Sequence, residues 1–135
     1  MNIPYIGEFS LRQVAGRKRE LEQKRLKYLA QIAPGSDAKK LIWNWSEGDL
    51  DSRLKTEDEF CLLYYKYFML CRLIMASDEF INWKDKDSPN PPEKLSREDL
   101  EREYRQSFGR TPDQNIFKQA AETVHDYISG NVPID

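Results

Sequence analysis

Apolar positions recur at helical spacing along most of this chain, and stretches that alternate in the manner of a strand are scarce. Leu11, Val14, Leu21, Tyr28, Leu29 and Ile32 make the first apolar stripe. Ser10 suits the N-cap and "PGS" at 34–36 ends the segment, so the pattern predicts one helix from Ser10 to about Ala33. Two short amphipathic stretches follow, "DAKKLIWNW" and "EGDLDSRL". Ser46 precedes the second, with Asp49 at the spacing of a capping box.

The longest apolar run is "FCLLYYKYFMLCRLIMA", Phe60 to Ala76, opened by Thr56 and Glu59 at capping-box spacing. Its apolar residues cover most of the circumference, which belongs to a helix at the centre of a bundle. Lys66 and Arg72 interrupt it, and a bilayer span needs roughly 20 mostly apolar residues, so no membrane is expected. "KDKDSPNPPEK", Lys84 to Lys94, reads as a loop because Pro89, Pro91 and Pro92 exclude a regular helix. Ser96 starts the next helix, with Leu100, Tyr104 and Phe108 four residues apart. Gly109 closes it, and Thr111, Pro112 and Gln114 read as N-cap, N1 and N3 of a last helix. That helix presents Ile116, Phe117, Ala120, Ala121, Val124 and Ile128 on one face and stops at Gly130.

The elements predict an all-α fold: one helical domain, 1–135, with four main helices and one or two short ones. Within it, 1–33 is the basic N-terminal helix and 84–95 the proline-rich loop. A chain of 135 residues with 39% apolar and 33% charged side chains can bury one core and is not generally disordered. The opening "MNIPYIGEFS" has no basic region followed by an apolar one, so no secretory signal is visible and a cytoplasmic location is expected. Cys61 and Cys71 stand ten residues apart, about 15 Å along one helix, too far to bridge within it.

Charge changes the picture. The chain carries a net −2, yet residues 1–33 hold seven basic and three acidic side chains. Residues 34–95 hold nine and twelve, and residues 96–135 hold five and eight. Lys18 and Arg25 fall inside the apolar stripe itself, in the heptad series Leu11, Lys18, Arg25, Ile32. Arg12, Arg17, Arg19, Lys24 and Lys27 spread over the rest of the surface. A cation beside a packing seam must keep water, meet an acid or meet an external anion, since burying it alone is costly. Three outcomes stay open: solvation or pairing with the chain's own acids, a polyphosphate backbone, and an acidic protein partner. Gly16 would allow close approach of a strand or neighbouring helix there.

Arg102, Arg105 and Arg110 form a second basic group, but Glu98, Asp99, Glu101 and Glu103 are ready partners. Trp43, Trp45 and Trp83 flank the central helix and read as core or protein-contact residues. His125 is the only histidine and has no Cys or carboxylate pattern around it for a metal or a triad. No Walker loop, GxGxxG, CxxC or HExxH occurs, and "SEGDLD" and "KDKDSPN" do not fit the EF-hand register. A non-enzyme without cofactor or metal is the expectation.

A small, non-catalytic, all-helical chain with a basic helix resembles the small subunit of CRISPR effector complexes, in particular the type I-D (Cascade-like) version. "FGRTPDQNIFKQAAETV", Phe108 to Val124, is similar to the final helix of that system's large subunit. The resemblance implies copies that line a ribonucleoprotein filament beside other protein subunits. They would hold guide RNA, target or displaced DNA strand through phosphates, without cutting. The net −2 departs from the more basic surface of that family.

The leading expectation is therefore a scaffolding subunit of a nucleic-acid complex. Arg12, Arg17, Lys18, Arg19, Lys24, Arg25 and Lys27 would supply phosphate contacts. The rival is a helical protein-interaction module, an adaptor, assembly chaperone or immunity-type inhibitor. Its proline loop and the acidic segments 47–59 and 98–103 would meet a basic partner.

Overall fold

Each of two serines closes a three-residue strand and caps the helix that follows it. Strand β1 (Glu8–Ser10) pairs antiparallel with β2 (Lys94–Ser96), with Phe9 opposite Leu95. Ser10 Oγ accepts from Gln13 N at 3.3 Å, at the start of α1 (Leu11–Gly16). Ser96 Oγ accepts from Asp99 N at 3.1 Å while Asp99 Oδ2 accepts from Ser96 N at 2.9 Å, a full capping box for α5 (Arg97–Phe108). Backbone bonds from Leu11 N to Glu93 O and from Arg97 N to Gly7 O extend the ladder at both ends.

The computed structural model describes residues 7–32 and 48–133 of the chain. Among them are six helices and this one two-stranded sheet, so the protein is mostly helical. The remaining helices are α2 (Lys18–Ile32), α3 (Gly48–Thr56), α4 (Asp58–Asn82) and α6 (Gln114–Ser129). "DAKKLIWNW", Ser46 and the tryptophans Trp43 and Trp45 lie outside the described residues.

Helix α4 is the centre, as its all-round apolar character requires. It packs against α1, α2, α3 and α6, and Tyr64, Met69, Leu70 and Leu73 are fully enclosed. By length and composition it is long and apolar enough to cross a bilayer, but 61% of that stretch is buried inside the protein. Aromatic rings join it to α5 and α6. Tyr104 is fully buried and stacks on Phe108 at 4.4 Å, with Tyr65 at 5.2 Å and Phe68 at 5.4 Å edge-on to it. Edge-to-face pairs of this kind add about 0.5–1.5 kcal/mol each beyond the area they bury.

Several expectations need correction. The single helix over 10–33 is two helices, broken at Arg17, whose φ of −120° and ψ of 20° leave the helical region. A side chain at Gly16 would meet nothing within 4 Å, so that glycine serves no close approach and marks the end of α1. Lys94 and Leu95 belong to β2, which shortens the loop. Thr56 does not cap α4. Its hydroxyl donates to Ser52 O at 2.8 Å, and Glu57 is the N-cap residue. The last helix is capped two residues later than expected, by Asp113, which accepts from Ile116 N at 3.0 Å. Asp113 N in turn donates to Tyr65 Oη at 3.0 Å, so the cap is tied to the central helix. Asp is itself a preferred N-cap residue, so this boundary has a local signal as well as the long-range tie.

Candidate nucleic-acid interface

The cations of the opening segment separate into those held by the fold and those left outside it. Lys18 lies on the flank of α2 that faces the far end of α4. Its Nζ is 2.8 Å from Asp78 Oδ1 and 3.7 Å from Glu22 Oε1, and these contacts raise its pKa above the ordinary value, the hydrogen bond to Asp78 most of all. Arg25, two turns on, is half-buried beside Cys71 and Tyr67. Burial pushes the Cys71 thiol up, and Tyr67 and Arg25 pull the other way. Together these contacts make α2 antiparallel to α4.

Arg12 reaches Glu93 at 3.6 Å and lies over the Phe80 ring at 5.3 Å. Arg17, the residue at the helix break, turns toward the end of α6. There Gly130 adopts the left-handed conformation, with φ of +82°, and a methyl group on it would stand 2.5 Å from Arg17 Nη2. The guanidinium thus sits against the C-terminal end of α6, where unsatisfied carbonyls favour a cation. Arg19 and Lys27 are exposed.

Lys24 is different. Its Nζ lies 5.2 Å from the Tyr28 ring centroid and 5.6 Å from that of Tyr127, with no carboxylate among the described residues paired to it. Lys66 of α4 approaches the same Tyr28 ring at 5.1 Å. Lys66 was not among the expected contact residues. Its one signal in the sequence is that, with Arg72, it interrupts the apolar run of the central helix. So the seven expected positions do not form one groove. Lys18 and Arg25 face α4, Lys24 and Arg17 face α6, and Arg12 is held near β2.

The second basic group is engaged within the molecule. Arg102 pairs with Asp99, Arg105 with Glu101 at 4.0 Å, and Arg110 lies over the Phe108 ring at 5.7 Å. His125 is half-buried beside Phe9, and burial lowers its pKa. Trp83 ends α4 and lines a hollow of about 510 Å³ with Lys84, Asp85 and Pro91. The Asp85 carboxylate shapes its own turn, accepting from Ser88 Oγ at 2.7 Å and Asp87 N at 3.0 Å. Among the described residues no three His, Cys, Asp or Glu side chains are grouped to hold a metal ion.

No protein family matches the chain, and no curated protein or solved structure matches it at significance.

Proposed function

We propose that the chain is a non-catalytic scaffolding subunit that holds nucleic-acid backbone without sequence preference. The observation that carries this reading is the contrast between two lysines of α2. Lys18 meets two carboxylates, whereas Lys24 meets two tyrosine rings and no carboxylate among the described residues. A cation kept without a counter-charge beside the packing seam is poised for an external anion, and a phosphodiester chain offers anions at regular intervals. Arg19, exposed five residues earlier on the same helix, is the second candidate contact. In this reading Arg12, Arg17, Lys18 and Arg25 hold the fold, and α2, α4, α5 and α6 form a four-helix bundle that serves as the mount.

The setting belongs to the same proposal. The resemblance to a type I-D CRISPR small subunit supplies further copies of the chain and other subunits as protein partners. It supplies guide RNA, target or displaced DNA strand as ligand, in the cytoplasm. The helical plan is compatible with that setting. A mobility-shift titration with single strands and with RNA–DNA heteroduplex tests it: binding at low salt that fades as salt rises, and that Arg19→Glu with Lys24→Glu removes.

A protein-interaction module is the second reading. It is favoured by Leu26 of α2 and by Met75 and Ile81 of α4, which are 54%, 46% and 53% exposed. Absence of any shift at low salt selects this reading.

A further inference from the structure

Two ammonium groups share one buried ring at the junction of α2, α4 and α6. Lys24 Nζ and Lys66 Nζ lie 5.2 and 5.1 Å from the centroid of Tyr28, so they are no further apart than those two distances together. Lys24 also reaches Tyr127, at 5.6 Å. We propose that Lys24, Lys66, Tyr28 and Tyr127 form a phosphate-binding site, occupied by one phosphate of a bound nucleic-acid strand. The assignment of the phosphate to a nucleic acid rests on the function proposed above, and the site itself does not.

Three observations converge on an oxyanion. The first is uncompensated charge. Among the described residues no carboxylate pairs with either ammonium, although acids outnumber bases in the chain as a whole. The ring face attracts each cation, but it leaves their mutual repulsion in place. That repulsion is felt at Lys66, whose pKa is lowered by burial and then by the charge of Lys24.

The second is a buried hydroxyl. Tyr28 is only 4% exposed, and its hydroxyl lies beside that of Tyr127 without closing a hydrogen bond of good geometry. A buried hydroxyl whose one neighbour is a poorly aligned phenol gains from a well-placed ligand oxygen. Burial keeps the Tyr28 phenol protonated, so it is available as a donor to an anion.

The third is access on one side. Of the four residues, Lys66 lines an open hollow of about 420 Å³ between α2, α3 and α4, with Gln31 and Arg53 also in its wall. Glu57 and Glu59 share that wall, and Glu57 is held by Arg53 at 3.3 Å. Two ammoniums and a phenol proton suit the two non-bridging oxygens of a phosphodiester, each of which accepts from more than one direction.

The test compares melting temperatures of the full chain in inorganic phosphate and in chloride of equal ionic strength, since a ligand of the folded state raises the transition. The wild type is expected to melt higher in phosphate. Lys66→Met and Lys24→Met lose that phosphate-specific rise, while Lys118→Met, at an exposed lysine of α6, keeps it. Should Lys66→Met fail to fold, Lys24→Met reads the same site. No rise in the wild type, or an equal rise in both variants, overturns the site. A short oligothymidylate separates the two claims. Binding that Lys66→Met weakens supports both. Binding that it leaves intact removes the site and keeps the function. A phosphate response without oligothymidylate binding keeps the site and removes the function.

Discussion

Lys18 Nζ lies 2.8 Å from Asp78 Oδ1, joining the first residue of α2 to the last turns of α4. This pair decides how the basic helix is divided. Both partners are about two-fifths exposed, at 42% and 43%, so the contact is open to screening by salt. Lys18→Glu is expected to lower the melting temperature at low salt, and Asp78→Lys in the same chain to restore it. In molar salt both differences shrink. A Lys18→Glu effect that salt does not touch, or that Asp78→Lys does not repair, contradicts the pairing.

Gly130 tests the placement of Arg17. The residue has φ of +82°, and a methyl group there would crowd Arg17 Nη2. Gly130→Ala is expected to cost about 1–2 kcal/mol in urea unfolding, the part due to backbone conformation being about 1 kcal/mol. Adding Arg17→Ala removes the crowding and leaves the backbone part. The cost of Gly130→Ala should therefore be smaller in the Arg17→Ala background. Equal costs in both backgrounds place the guanidinium elsewhere.

The pH dependence follows from His125. Burial holds its pKa below the ordinary 6.5, with Asp126 opposing. The unfolded chain therefore binds this proton more tightly than the folded one. Stability is fully present above about pH 6.5 and falls as the pH drops from there through the lower folded value. Urea midpoints measured from pH 8 downward should show this fall, and His125→Gln should flatten it. Asp85 and Asp99, whose pKa values are lowered by hydrogen bonds, act only below the ordinary 3.8. A midpoint that rises as the pH falls through 6.5 contradicts the burial of a neutral imidazole.

Ser96 joins β2 to α5, and its hydroxyl accepts from Asp99 N. Ser96→Ala should destabilise the protein by about 1 kcal/mol, the usual worth of an N-cap. Hydrogen exchange should locate the loss in the first turn of α5. Faster exchange confined to α2 instead separates the cap from the element it serves.

How much of this was readable in advance depends on the range of the forces involved. The central helix was legible because Leu62 to Ile74 are apolar around the whole circumference, a local property. Ser96, Gly109 and Gly130 were legible as helix ends for the same reason. The sheet was not, because three residues per strand are too few for alternation to show, and the ladder depends on partners 86 residues apart, such as Phe9 and Leu95. The break at Arg17 has a local signal in Gly16, but the apolar stripe continues on its far side and reads as one helix. Within the candidate site, Lys24 was legible from the charge of its own segment. Lys66 was not singled out, since only the fold brings α4 against Tyr28. Lys18 and Arg25 lie on the flank that meets α4, but Asp78 and Cys71, which receive them, stand on the central helix far away along the chain.

The most direct measurement is the salt dependence of oligonucleotide affinity for the wild type, Lys18→Gln and Lys24→Gln. Each lost phosphate contact lowers the slope of log affinity against log salt by about 0.7 on single strands. The account predicts that reduction for Lys24→Gln and an unchanged slope for Lys18→Gln, whose charge is already met by Asp78 and Glu22. Equal slopes for Lys24→Gln and the wild type, or a loss confined to Lys18→Gln, would contradict it.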